Sequence, residues 1–179
     1  MKATGIVRRI DELGRIVIPK EIRRTQRIRR GDPLEIFTTS EGEVIFKKYS
    51  PMAEISSVAE QYTAVLARQL KLTAFVTDRD TIVSVAGSGK KELMDMRISR
   101  PLERILEKRS FYAAQREGEG LLPCEGCNRA LLAACPVVTA GDAIGVVGVL
   151  VGEGAVEPTA EQRCAVELCA ALLAKQMEQ

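Results

Sequence analysis

The stretch GIVRRIDELGRIVIPKEIRR, residues 5–24, carries the side chains most able to do chemistry. It holds five arginines and one lysine between short runs of Ile and Val. An Arg guanidinium donates in a planar fork that matches two phosphate oxygens, or the O6 and N7 atoms of guanine. Arginines in fixed positions also neutralise phosphates and release counterions. The stretch therefore predicts a DNA- or RNA-binding surface, and a solvated charged face balanced by acids is the alternative.

The distribution of charge favours the nucleic-acid interpretation. The first 30 residues hold 10 Lys or Arg against 3 Asp or Glu, and the first 50 hold 12 against 7. The rest of the chain holds the other 14 basic and 17 acidic residues, so its net charge has the opposite sign. Such asymmetry is typical of a polyanion-binding segment joined to a second module.

The CEGC motif at residues 124–127 has the spacing of a zinc-binding or redox pair. Because the chain has no His, a zinc site would also need Cys135 and either Cys164 or Cys169. The simpler interpretation is two loop thiols, with the other three cysteines packed as small apolar residues. Five cysteines without a secretion signal predict reduced thiols. We expect no metal, no cofactor and no catalytic residue.

The segment AGSGKK at residues 86–91 resembles part of a phosphate-binding loop. The full motif needs a Gly where Ser84 stands and a Ser or Thr after Lys90. The segment fails both requirements, and a turn before a helix explains it.

The first 50 residues predict strands and one short helix that present the basic side chains. We expect strands at 3–10, 15–18, 34–39 and 44–49, turns at 11–14 and 40–42, and a helix at 19–27. So short a segment buries too little surface for a stable core of its own. Consecutive apolar residues such as Ile16 and Val17 also favour cover on both faces of the strands. We therefore predict an intertwined dimer.

The remainder of the chain predicts an α+β domain with an antiparallel sheet. Helices are expected at 52–70, 90–96, 101–108 and 159–177, and strands at 72–77, 81–85, 131–138 and 143–151. Thr159 and Gln162 have the spacing of a capping box at the start of the last helix. We expect a DNA-binding domain at 1–50, a linker at 51–55 and a regulatory or oligomerisation domain at 56–179. Without an apolar run of about 18 residues or a signal peptide, we expect a cytoplasmic protein with no membrane partner.

The opening MKATGIVRRIDELGRIVIPKEIRR, followed by GDPLEIF, resembles the swapped-hairpin DNA-binding domain of the AbrB transition-state regulator family. This resemblance implies that two chains interleave their hairpins in a β-barrel dimer whose loop and helix arginines contact DNA. Relatives usually have Leu at the position of Gln26 and often Gly at that of Arg27. The DNA-binding positions implied are Arg8, Arg15, Arg23 and Arg24, with Lys2, Arg9 and Lys20 as weaker candidates.

The segment CPVVTAGDAIGVVGVLV, residues 135–151, is similar to the last hairpin of a GAF domain. GAF domains often hold a small ligand between sheet and helices, so the resemblance implies an unidentified small-molecule effector. The alternative is a domain that only dimerises, through the apolar faces of residues 55–70 and 166–173. If the two domains form different pairs, a closed homotetramer follows.

The whole chain, ending in AVELCAALLAKQMEQ, is similar to a family of sporulation regulators of endospore-forming bacteria. This implies a sequence-selective activator and repressor of forespore genes late in sporulation that binds double-stranded promoter DNA. One alternative is an antitoxin-like DNA-binding protein that neutralises a toxin, although that family typically uses a flexible acidic tail. The other is a thiol-dependent redox enzyme or sensor built on the GAF-like domain.

Overall fold

The computed structural model describes residues 4–115, 120–152 and 157–178. The chain forms two compact units, Met1–Tyr49 (unit 1) and Ser50–Gln179 (unit 2). The basic residues of the first 30 positions all belong to unit 1.

Unit 1 contains helix α1 (Lys20–Thr25) and an antiparallel hairpin of β1 (Leu34–Thr38) and β2 (Val44–Lys48). The hairpin was predicted, whereas the strands expected at 3–10 and 15–18 are absent from the described residues 4–18. A strand needs a neighbour for its backbone N–H and C=O groups, and β1 and β2 pair only with each other. The helix ends before residue 27 because Arg27 adopts a left-handed φ of 52°.

Unit 1 does not bury an apolar core within one chain. Among its described residues, only Pro19 is buried. The large hydrophobic side chains that remain exposed are Ile6, Val7, Ile10, Leu13, Ile16, Val17, Ile36, Phe37, Val44, Phe46 and Tyr49.

Unit 2 contains a five-stranded antiparallel sheet in the order β4-β3-β7-β6-β5. The strands are β3 (Ala74–Thr77), β4 (Ile82–Ala86), β5 (Tyr112–Ala113), β6 (Leu131–Thr139) and β7 (Asp142–Leu150). Ala140 and Gly141 join β6 to β7, both with positive φ, as in the two-residue turns that suit the twist of a hairpin. The predicted α+β class with an antiparallel sheet is confirmed, and only the short β5 was not expected.

The helices of unit 2 cover both faces of this sheet. They are α2 (Pro51–Glu54), α3 (Ser56–Leu70), α4 (Lys90–Leu93), α5 (Arg100–Lys108) and α6 (Ala160–Gln176). Helices α3 and α6 pack side by side on one face, and α5 packs on the other. Residues 51–55, expected to be a linker, include α2, whose Met52 is fully buried in the core beneath α3 and α6. No helix among the described residues is long and apolar enough to cross a membrane.

Candidate nucleic-acid interface

A tight turn between residues 11 and 15 presents the first group of arginines, and Asp11 builds it. The Asp11 N–H donates to the Arg15 carbonyl at 3.0 Å, and the Gly14 N–H donates to the Asp11 carbonyl at 2.9 Å. Asp11 Oδ1 accepts the N–H groups of Leu13 at 3.0 Å and Arg15 at 2.8 Å. A short Asp side chain that satisfies two backbone donors is a common way to fix such a turn.

Arg15 is held at the end of this turn while most of its guanidinium stays accessible. Its Nε donates to Asp11 Oδ2 at 2.8 Å, and 70% of its side chain is exposed. The backbone and side-chain hydrogen bonds from Arg15 hold the pKa of the Asp11 carboxyl below its usual value. Neither Nη atom bonds to any residue in the described ranges, so both can donate to a phosphate.

Helix α1 presents the second group of cations. Lys20, Arg23 and Arg24 are exposed and lie at i, i+3 and i+4, so they share one face of the helix. Arg23 Nε donates to the Ile18 carbonyl at 3.2 Å, which attaches the side chain to the segment that enters the helix. Pro19 precedes the first helical residue with φ −57°, a value already suited to a helix start.

The structure therefore places Arg15 at the turn and Lys20, Arg23 and Arg24 on α1, all of them exposed. Arg8 and Arg9 precede the turn, and Arg8 Nη1 donates to its neighbour's carbonyl, Val7 O, at 3.1 Å. Lys2 lies outside the described residues. Arg30, which was not among the predicted residues, is also exposed in unit 1.

The cysteines of unit 2 lie in different environments, which bear on the zinc and redox interpretations of the CEGC motif. Within the described ranges, no three His, Cys, Asp or Glu side chains cluster as metal ligands. Burial and the neighbouring Cys127 thiol raise the pKa of Cys124 to about 11. A nucleophilic cysteine needs the opposite shift, so Cys124 does not support the redox interpretation. Cys164 is exposed, contrary to the expectation that it packs as a small apolar residue.

Comparison with known proteins gives a match for each unit. Residues 54–178 match the model of the family "Stage V sporulation protein T C-terminal, transcription factor". Residues 7–53 match the model of the family "Antidote-toxin recognition MazE, bacterial antitoxin". Stage V sporulation protein T of Bacillus subtilis (strain 168) is 45% identical to this chain, with 100% of both chains covered.

Two further comparisons concern one unit each. The transition state regulatory protein AbrB of the same organism is 59% identical over 51 residues, which cover 28% of this chain and 52% of that protein. The GAF domain of an Acinetobacter phosphoenolpyruvate-protein phosphotransferase superposes with a TM-score of 0.56 at 11% identity, covering 74% of this chain and 84% of that one. The last comparison concerns the fold alone, and it confirms the GAF-like topology of unit 2.

Proposed function

The chain belongs to the stage V sporulation protein T family, and we propose that it regulates sporulation genes by holding promoter DNA with the arginines of a dimerised unit 1. The observation that carries this proposal is the set of exposed arginines on the turn and on α1. They occur in the unit that is 59% identical to a transition state regulatory protein. The proposed contacts are those of Arg8, Arg15, Arg23 and Arg24, with Lys2, Arg9 and Lys20 contributing less.

The proposal requires unit 1 to pair with a second copy. In unit 1 the exposed apolar residues include Val7 at 83% and Val17 at 72% exposure. Burial of a Val or Leu side chain contributes about 1.5–3 kcal/mol. The large exposed apolar surface of unit 1 therefore favours association with a second copy. Interleaved hairpins would cover this surface and give residues 4–18 the strand neighbour that one chain lacks. We propose a dimer through unit 1 and a tetramer through unit 2.

The mode of DNA binding follows from the elements available. Helix α1 has six residues, which is too short for a recognition helix that reads the major groove along its length. We propose that phosphate contacts supply most of the affinity, and that DNA shape and a few guanidinium contacts to guanine supply the selectivity. Activation or repression then depends on where the site lies in the promoter.

Toxin neutralisation is the weaker candidate. The antitoxin family matches residues 7–53, which is the segment that also resembles AbrB. Unit 2 folds as a compact unit, and its residues 54–178 match a transcription-factor family. An antitoxin of this type would instead carry a flexible tail. The same match favours a regulator over an enzyme.

The dependence of DNA affinity on salt tests the proposal directly. Four arginines per chain in a dimer make about eight phosphate contacts, which predicts a slope of log affinity against log salt near −7. Arg15→Ala or Arg23→Ala removes two contacts per dimer, so the slope should become about −5. Fluorescence anisotropy with a labelled promoter duplex over a salt series gives both values.

Arg104→Ala is the matched control, because Arg104 is an exposed arginine of α5 in unit 2. It should leave the slope unchanged. A wild-type slope near zero, or equal slopes for wild type and both unit 1 variants, would remove these arginines from the interface. Size-exclusion chromatography of each variant separates lost contacts from lost dimers.

A further inference from the structure

A cavity of about 850 Å³ opens in unit 2 beside the C-terminal end of α3. Its walls come from the end of α3, the start of β3, the turn after β4 and the end of β7. Three cationic side chains line it: Arg68, Lys71 and Arg129. Two hydroxyl side chains, those of Thr73 and Ser88, lie among them, and the described lining contains no carboxylate.

Arg129 is fixed in this cavity by uncharged oxygens. Its Nη1 donates to Ser88 Oγ at 2.8 Å and to Thr73 Oγ1 at 3.0 Å, and its Nη2 donates to the Val151 carbonyl at 3.4 Å. These acceptors lie 22 to 56 residues away in sequence, so the fold positions the guanidinium. Neutral acceptors orient the group and leave its positive charge uncompensated.

The other two cations share this lack of a counter-charge. In the part of the chain that the structure describes, neither Arg68 nor Lys71 forms an ion pair, and neither does Arg129. Arg68 and Lys71 also suit the negative end of the α3 dipole. Arg129 is not on that helix and has no such role. Like charges that line one cavity repel each other, and a bound anion would remove that repulsion.

The turn after β4 is shaped to lie against Thr73. Gly87 has φ 106°, and a Cβ at this position would come within 2.9 Å of both Cα and Oγ1 of Thr73. Only glycine allows this approach, which brings Ser88 to within 3.1 Å of the Thr73 hydroxyl. The AGSGKK segment is thus not a phosphate loop by its spacing, yet it supplies three residues of the cavity wall.

We propose that this cavity binds a small metabolite through an oxyanion group, phosphate or carboxylate, held by Arg68, Lys71 and Arg129. A guanidinium can donate to two oxygens of such a group, an ammonium acts as a point charge, and hydroxyls add donors. The volume falls in the range of about 300–1,000 Å³ that is usual for small-molecule sites. The inference names a ligand class for unit 2, and it rests on the proposed function only for the ligand's role as an effector.

Hydrogen exchange with mass spectrometry on the full-length protein tests the site. The probes are inorganic phosphate and citrate, each compared with sodium chloride at the same ionic strength. At least one probe should slow exchange in segments 64–73 and 84–90, and the probe that does so distinguishes a phosphate ligand from a carboxylate ligand. The variant Arg68→Gln/Lys71→Gln should weaken this protection about tenfold or more in probe concentration. Arg104→Gln should retain it.

The double variant is decisive because both of its side chains are exposed, so it should fold normally. Arg129→Gln should also lose the protection by the probe. Its thermal unfolding shows whether the fold around the cavity stays intact without the Arg129 hydrogen bonds. Protection that is absent with both probes, matched by chloride or retained in the double variant would overturn the proposal. DNA affinity measured in parallel separates a failure of this proposal from a failure of the proposed function. In the absence of ligand, the double variant and wild type should bind the duplex with equal affinity.

Discussion

Burial divides the cysteines into groups of different reactivity. Cys124 and Cys169 are buried, and desolvation raises the pKa of each to about 11. Cys164 is exposed on α6. Because only the thiolate is a nucleophile, a raised pKa slows its reactions at neutral pH.

We expect iodoacetamide at pH 8 to alkylate Cys164 at least about 100-fold faster than Cys124 or Cys169. The neutral thiol is the favoured form below a pKa of about 11, so the Cys124 rate should rise about tenfold per pH unit between pH 7 and 10. Peptide mass spectrometry on the folded protein gives each rate. Rapid alkylation of Cys124 at pH 8 would revive the redox interpretation, whereas Cys124→Ser should leave DNA affinity unchanged.

At the scale of elements, the turn at residues 11–15 depends on two separable properties of Asp11: its oxygen acceptors and its charge. Asp11→Ala removes both, so we expect faster amide exchange at Leu13 and Arg15 and weaker DNA binding. Asp11→Asn keeps an acceptor for the turn and removes the negative charge beside Arg15. It should therefore bind DNA at least as tightly as wild type. Equal DNA affinity for wild type and the Ala variant would show that the turn does not position Arg15 for binding.

The same carboxylate sets a pH dependence for the turn. Its pKa is lowered in the folded protein, so its contribution to stability is complete above the unfolded value near 3.8. The contribution is lost as the pH falls through the lower folded value. Amide exchange at Arg15, corrected for intrinsic rates, should change little between pH 5 and 7 and accelerate only in more acidic solution.

Variants of Thr159 test the capping box of α6. Thr159 Oγ1 accepts the Gln162 N–H at 3.2 Å, and Gln162 Oε1 accepts the Thr159 N–H at 2.9 Å. Thr159→Ala should lower the free energy of unfolding of unit 2 by about 1 kcal/mol, and Thr159→Ser should keep most of it. Urea denaturation followed by circular dichroism measures the change. A cost for Ser equal to that for Ala would mean that the hydroxyl does not cap the helix.

The sequence predicted most elements of unit 2 because local signals agree with the tertiary fold there. The capping box at Thr159 and the apolar strands β6 and β7 are examples. Residues 4–18, whose β-branched residues indicate strands, form none within one chain, because that chain offers them no strand to pair with. The helix of unit 1 ends at Thr25, two residues earlier than expected, because Arg27 adopts a left-handed conformation that cannot continue a helix.

The two candidate sites differ in how well the sequence alone could predict them. The basic residues of unit 1 are close together in the chain, so composition alone located them. The cavity in unit 2 combines Arg68, Thr73, Ser88 and Arg129, which only the tertiary fold brings together. No local pattern marks Arg129, and the AGSGKK segment was the only signal nearby.

At the scale of the whole molecule, the proposed tetramer raises the question of which surface of unit 2 would join two dimers. The apolar faces predicted for dimerisation included Val166 and Leu173, but both are buried against the sheet. The apolar residues still exposed on these helices are Val65 of α3 at 48%, Leu168 of α6 at 57% and Leu172 of α6 at 44%. Leu168 and Leu172 are four residues apart, so they share one face of α6. We propose that this face forms the second interface.

The variant Leu168→Glu/Leu172→Glu should convert tetramers into dimers. Full burial of a Leu contributes about 1.5–3 kcal/mol, and each of these half-exposed side chains would contribute about half of that in an interface. A carboxylate there would have to be desolvated without a partner. Glu is a good helix former, so an exposed position of α6 should tolerate it. Native mass spectrometry reports the subunit number, and Leu122→Glu, at another exposed Leu of unit 2, is the control.

Because the unit 1 dimer would be intact, the salt slope per dimer should stay near −7 while avidity for paired sites falls. A variant that remains tetrameric would place the second interface elsewhere, and one that becomes monomeric would contradict independent pairing through unit 1.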